Sequence, residues 1–267
     1  MFLRNKKCSN CETYYDPALE KCPKCYKLNE LHPSREISDK LFYLHPVAQI
    51  GTFLVGFAYV GMLLTEIICA IFVSRLDGDN IFKNAVIMAL VYALMLGGVL
   101  TITLTTRRST FIKKYERPLD YIYGIGYAVT LLLAGIVIAN LVNIFYQVSD
   151  NANQEAAVDF ATNYPIIAFF VLGFLGPICE EFTYRIGLYS FLRRINKYAA
   201  FIITTLVFAF IHFNFTNDMA NELWALPTYL TLGFILTLAY EHRGPACSMT
   251  AHILYNLVSF ALMLIIK

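Results

Sequence analysis

Three charged side chains, Glu180, Glu181 and Arg185, stand together in the stretch CEEFTYR, between the uncharged run PIIAFFVLGFLGPI and the apolar run IGLYSFL. On a helix, Glu181 and Arg185 are four residues apart, so they share a face and can pair. Glu180, about 100° round the helix axis, has no such local partner. Two further apolar stretches carry an imidazole each. Phe208 and His212 share a face at i, i+4 in FAFIH, and His252 and Asn256 do so in AHILYN. A lone imidazole in such a stretch is more often a packing residue, and Glu181–Arg185 alone reads as a structural ion pair. A spare carboxylate, with polar groups recurring on three segments, points instead to one shared site, because ionisable groups at membrane depth are costly and mark function. These residue types permit hydrolysis. A carboxylate in a low-dielectric cavity can act as general base to water, two imidazoles can hold that water or a metal ion, and a carboxamide can steady an oxyanion. Other intramembrane hydrolytic signatures have no counterpart: GxSxG and HExxH are missing, and YGIGY lacks the acid of GxGD.

The elements that must carry these residues are membrane spans. Of the 267 residues, 58% are hydrophobic and only 15% charged, and the charges are clumped. Uncharged runs long enough to cross a bilayer as helix, which takes about 20 residues, recur along the chain. The expected architecture is all-α: a polytopic transmembrane bundle of about seven spans, at 47–74, 83–106, 121–147, 164–192, 198–214, 223–241 and 246–266. Arg107, Arg108, Lys113, Lys114, Arg117, Arg193, Arg194, Lys197 and Arg243 fall in loops on one side, against Arg75 and Lys83 on the other. That asymmetry of nine to two predicts a cytoplasmic basic side, a cytoplasmic N-terminus and an extracytoplasmic C-terminus. The segment 148–163, with Asp150, Glu155 and Asp159, reads as an acidic outer loop. A cleavable signal peptide is not expected, because the N-terminus is polar and carries cysteines. Glu66 reads as interior-facing structure and His242 as a surface residue.

The first 30 residues are a separate object. CSNC at 8–11 and CPKC at 22–25 are two CxxC pairs, whose knuckles can converge Cys8, Cys11, Cys22 and Cys25 on one tetrahedral zinc ion. Disulfides are the alternative, disfavoured on the cytoplasmic side. So small a polar segment has too little apolar material to fold alone, and the metal would supply its folding free energy. The segment resembles the short zinc ribbons of bacterial membrane proteins. Residues 31–46 read as a linker and juxtamembrane lead-in, with no role for His32 or His45. Cys69, Cys179 and Cys247 read as packing residues.

The three motifs EExxxR (Glu180–Arg185), FxxxH (Phe208–His212) and HxxxN (His252–Asn256), in that order, resemble the CPBP family of CAAX-type prenyl endopeptidases and bacteriocin-processing or immunity membrane proteins. The resemblance covers about residues 120–266, and the Gly244-Pro245 turn is similar to the family's entry to its last motif. It implies an intramembrane endopeptidase in which Glu180 activates a water held by His212 and His252. Asn256 would stabilise the oxyanion, Glu181 and Arg185 would support the site, and Tyr184 and Phe208 would lie beside it. Whether the site takes a metal is left open by two imidazoles and a carboxylate. The implied partners are the lipid bilayer, a membrane-bound protein or peptide substrate, and a regulatory partner of the ribbon; no nucleic acid is expected. A non-catalytic immunity or scaffold protein of the same fold is the second reading. A transporter is the third, and it calls for an internal repeat that the sequence lacks.

Overall fold

The computed structural model describes residues 6–8, 10–16, 19, 21–27, 41–57, 61, 63–75, 78, 80–149, 151–215 and 218–265. A small ribbon comes first, with strands β1 (Lys6–Lys7) and β2 (Tyr14–Tyr15) paired antiparallel. Helices follow: α1 (Pro46–Gly56), α2 (Leu63–Val73), α3 (Asn80–Lys113), α4 (Pro118–Phe145) and α5 (Ala152–Asn163). Next are α6, continuous over Pro165–Arg193, α7 (Lys197–Phe210), α8 (Met219–Arg243) and α9 (Pro245–Ile265). Five of these, α3, α4, α6, α8 and α9, are long and apolar enough to cross a membrane, and the chain is a multi-pass membrane protein.

Two of the seven expected spans take another form. The 47–74 run is divided into α1 and α2, 11 residues each. At about 1.5 Å per residue, each is near 16 Å and cannot cross a core of about 30 Å alone. The 198–214 run forms the 14-residue α7, about 21 Å long. The expected outer loop 148–163 is largely helical as α5, and the basic loop 107–117 is helical to Lys113 after a backbone break at Arg107 (φ −146°, ψ 40°).

Local chemistry explains most boundaries. Asn151, Asn196 and Asp218 cap α5, α7 and α8 by accepting hydrogen bonds from Gln154 N, Ala199 N and Asn221 N. Prolines open α1, α4, α6 and α9 at 46, 118, 165 and 245, where a missing N–H costs nothing. Between α8 and α9 the chain reverses at Gly244, whose φ of 88° favours glycine.

α6 carries the functional interest because it is not α-helical throughout. Residues Val171–Leu175 and Glu181–Tyr189 are π-helical, a widening that recurs at functional sites. α1 crosses the second stretch closely. A side chain at Gly187 would meet the Phe53 backbone at 2.9 Å, and one at Gly56 would collide with Thr183.

The linker expectation is corrected at its C-terminal end. Residues 31–40, including His32, lie outside the described residues. Leu41, Phe42 and Leu44 are buried in the bundle with Val99, Phe182, Tyr189 and Tyr240. Phe42 O accepts from Tyr240 Oη at 2.8 Å and from Ser190 Oγ at 3.3 Å, and Leu44 O accepts from Arg194 Nη2 at 2.6 Å. These backbone carbonyls would otherwise be stranded in an apolar crevice. Glu66, expected inside, is exposed on α2, where Leu63, Leu64, Ile67, Ile68 and Ile71 are exposed as well. Only Cys69 and Val73 of that helix are buried. His242, expected at the surface, is half-buried, with Nδ1 3.0 Å from Tyr127 Oη. Cys69, Cys179 and Cys247 are buried.

Candidate active site

The two carboxylates of α6 meet a single imidazole. His252 Nδ1 lies 3.0 Å from Glu181 Oε1, and its Nε2 lies 3.6 Å from Glu180 Oε2. An ionised carboxylate only accepts hydrogen bonds, so Nδ1 carries the hydrogen donated to Glu181 and Nε2 is turned to Glu180. Glu181 is also paired with Arg185 Nη1 at 3.1 Å, both side chains being sealed from solvent (1% and 0% exposed). Arg185 is held in turn over the Phe208 ring, 4.7 Å from its centroid, and by Gly233 O at 3.4 Å. Glu180 thus lies beside a group that helix arithmetic alone did not place there, the His252 imidazole of α9.

His212 lies in the turn after α7. Its Nδ1 is 2.8 Å from Phe208 O; a carbonyl cannot donate, so Nδ1 bears the hydrogen and Nε2 is left with its lone pair. Phe208 is the packing hub, 4.9 Å from His212, 5.5 Å from Tyr184 and 6.2 Å from His252 between ring centroids. Asn256 Nδ2 donates to Leu172 O at 2.8 Å, in the first π-helical stretch. The amide expected to serve an oxyanion therefore spends one of its two N–H donors on α6.

A cavity of about 760 Å³ connects these groups, and Glu180, Tyr184, Phe208, His212, His252 and Asn256 all line it. Glu181 and Arg185 do not; they stand behind the wall and act on it through His252 and Phe208. Two residues that brace the site carried no signal in the sequence. Tyr229 of α8 stacks on His212 (4.6 Å between centroids, 17° between planes), and its hydroxyl is tied to Asn151 Oδ1 and Asn153 Nδ2 at the start of α5. Glu222 is buried outside the cavity, where its carboxylate accepts from Ala152 N at 2.9 Å and Asn214 N at 3.2 Å, joining α5 to the loop after His212. One tyrosine among 18 cannot be singled out by spacing, and Glu222 sits in a polar helix start that reads as surface.

Among the described residues, the four ribbon cysteines form the group whose ligand atoms converge for a metal ion, all within 4.8 Å of one another. Cys8 Sγ–Cys25 Sγ and Cys11 Sγ–Cys22 Sγ are each 3.5 Å, close to the edge of about 3.8 Å for a tetrahedron with Zn–S near 2.3 Å. All seven cysteines are free thiols. Hydrogen bonds from Thr13 lower the Cys11 thiol to about 6, while burial pushes Cys22 up to about 11. The ribbon is also linked to the bundle, with Asp16 Oδ2 3.6 Å from His45 Nε2. His45 Nδ1 in turn accepts from Val47 N at the start of α1, a role the sequence did not offer.

Most of the helices that build this site fall in a segment that matches a known family. Residues 162–258, from the end of α5 to the middle of α9, match the family described as type II CAAX prenyl endopeptidase Rce1-like. That segment is similar to the Rce1-like family, in agreement with the resemblance carried by the three motifs. Curated relatives come from Lactococcus lactis subsp. lactis (strain IL1403). The UPF0177 protein YvdC is 29% identical over 155 residues, 58% of this chain and 56% of that protein. The UPF0177 protein YaiH is 32% identical over 92 residues, 34% of this chain and 35% of that protein. The chain thus spans about half the length of the first and about a third of the second. No solved structure matches.

Proposed function

We propose that the protein is an intramembrane endopeptidase that hydrolyses peptide bonds of membrane-associated proteins or peptides, with Glu180 as general base. The observation that carries this reading is the meeting of Glu180, His212, His252 and Asn256, from α6, the turn after α7 and α9, on one cavity wall. Glu180 takes a proton from water as the water oxygen bonds to the scissile carbonyl carbon. The carbonyl oxygen becomes an oxyanion, steadied by the second N–H of Asn256. Collapse breaks the C–N bond, and the proton held by Glu180 passes to the leaving amine. The Nε2 atoms of His212 and His252 orient the water. Glu181 and Arg185 hold the His252 ring, so they are positioning groups. Cys8, Cys11, Cys22 and Cys25 bind a structural zinc, which fits four thiolates at this spacing, and the ribbon is the point at which a regulatory partner acts.

Glu180→Gln tests the mechanism, because it keeps size and hydrogen-bonding reach but cannot take the proton. Peptides released from wild-type membranes should fall about 10²–10⁴-fold, the scale of lost general-base catalysis, with yield and unfolding unchanged. Wild-type cleavage by a folded Glu180→Gln protein would refute the mechanism, and the scaffold reading would replace it.

A further inference from the structure

The cavity is lined from one end of the bundle and not from the other. Its wall is drawn from the half of the bundle next to α5: Met88 and Met95 in the first half of α3, Asn153 and Ala156 of α5, Phe260 and Met263 in the last half of α9. Among the described residues, none from 41–50, 107–120, 193–200 or 240–248 lines it. That opposite end is plugged by Leu41, Phe42 and Leu44, whose carbonyls are held by Tyr240, Ser190 and Arg194. The plugged end also carries Arg107, Arg108, Lys113, Lys114, Arg117, Arg193, Arg194, Lys197 and Arg243. The α5 end carries Arg75 and Lys83 with the acids Glu155 and Asp159. Basic loops stay cytoplasmic.

We infer that the site is entered past α5 from the extracytoplasmic face, and that its substrate is a polypeptide segment presented on that face. This rests on the endopeptidase reading for the reaction, but the direction of entry stands on geometry and charge alone. The wall next to the catalytic groups is mixed. Asn153 is exposed at the mouth on α5, while Met88 and Met95, further along α3, offer apolar, deformable surface. A backbone with an apolar side chain beside the scissile bond fits that division. A cytoplasmic C-terminal tail would have to displace the Leu41–Leu44 plug to arrive.

The experiment separates direction from chemistry. Single cysteines are placed in the full-length protein at exposed positions by Glu155→Cys, Ala156→Cys and Lys113→Cys, and intact cells are treated with a membrane-impermeant maleimide. Mass-spectrometric mapping then reads each labelled peptide. Labelling at 155 and 156 in intact cells, with 113 and the ribbon cysteines labelled only after lysis, is the expected result. The reverse pattern overturns the inference. Ala156 lines the cavity and Glu155 does not, so a maleimide at 156 should stop peptide release while one at 155 leaves it intact. Full release from the 156-labelled protein overturns the route even where the side is right. Cleavage sites lost in Glu180→Gln cells should map to extracytoplasmic segments, and sites confined to cytoplasmic tails overturn the substrate class. The expected labelling pattern, combined with peptide release that Glu180→Gln leaves untouched, would instead remove the endopeptidase reading and keep the direction of entry.

Discussion

Arg185→Ala should cost the protein its stability before it costs anything else. Arg185 and Glu181 are sealed in the bundle, 0% and 1% exposed, with Nη1 and Oε1 3.1 Å apart. Truncating the arginine leaves a carboxylate at membrane depth with His252 Nδ1, at 3.0 Å, as the close partner that remains. Removing one member of a buried pair costs about 3–5 kcal/mol. The cation–π contact with Phe208, 4.7 Å to the centroid, contributes about 2 kcal/mol when desolvated, so the stranded charge is the larger effect. The double variant Glu181→Gln/Arg185→Met removes both charges, keeps volume, and leaves an amide oxygen at position 181 as acceptor for His252. It should recover most of the loss, because a buried pair replaced as a unit is often neutral. Unfolding by denaturant in detergent micelles, read with expression yield for both variants, supplies the numbers. Wild-type stability in Arg185→Ala would refute the reasoning, and so would a double variant less stable than the single. Either result would mean that Glu181 is solvated or protonated and that the pair is incidental.

Tyr229→Leu removes the ring stacked on His212, and misplacement of that imidazole should lower peptide release by up to about 10²-fold. Tyr229→Phe keeps the stack and should retain most of the activity; equal loss in both would assign the effect to the α5 hydrogen bonds instead. The Tyr229→Leu protein should also show the His212 ring nitrogens redistributed between tautomers by ¹⁵N NMR, a change that loss of packing elsewhere would not produce. Cys22→Ser/Cys25→Ser should abolish zinc in the purified protein, measured by elemental analysis. Equal zinc in both proteins would place any metal elsewhere.

Much of this architecture was legible because its signals are local. Charge-poor runs mark α3, α4, α6, α8 and α9, Gly244-Pro245 marks a turn, and two CxxC pairs mark a thiolate cluster. What could not be read depends on distant partners. The 47–74 run has the composition of one span, and neither its division into α1 and α2 nor the close crossing of α1 with α6 at Gly56 and Gly187 is written in that composition. Leu41, Phe42 and Leu44 look like linker until Tyr240 and Arg194, some 150 to 200 residues later, are seen to hold their carbonyls. Tyr229 and Glu222 do their work through contacts with α5 that no spacing encodes.

The pair-plus-spare pattern of α6 shows where helix arithmetic stops. It separates Glu180 from Glu181 by about 100° and so treats them as facing different surroundings. His252 spans that difference, because an imidazole has nitrogens on opposite edges: Nδ1 is fixed by Glu181, and Nε2 is thereby presented to Glu180. One carboxylate can do either task but not both, since the group that pins the ring is itself pinned by Arg185 and closed to the cavity. Adjacent acids on the helix, one turned inward and one lining the cavity, are what a single bridging histidine requires. The arginine is needed because the inward acid has no water to solvate it.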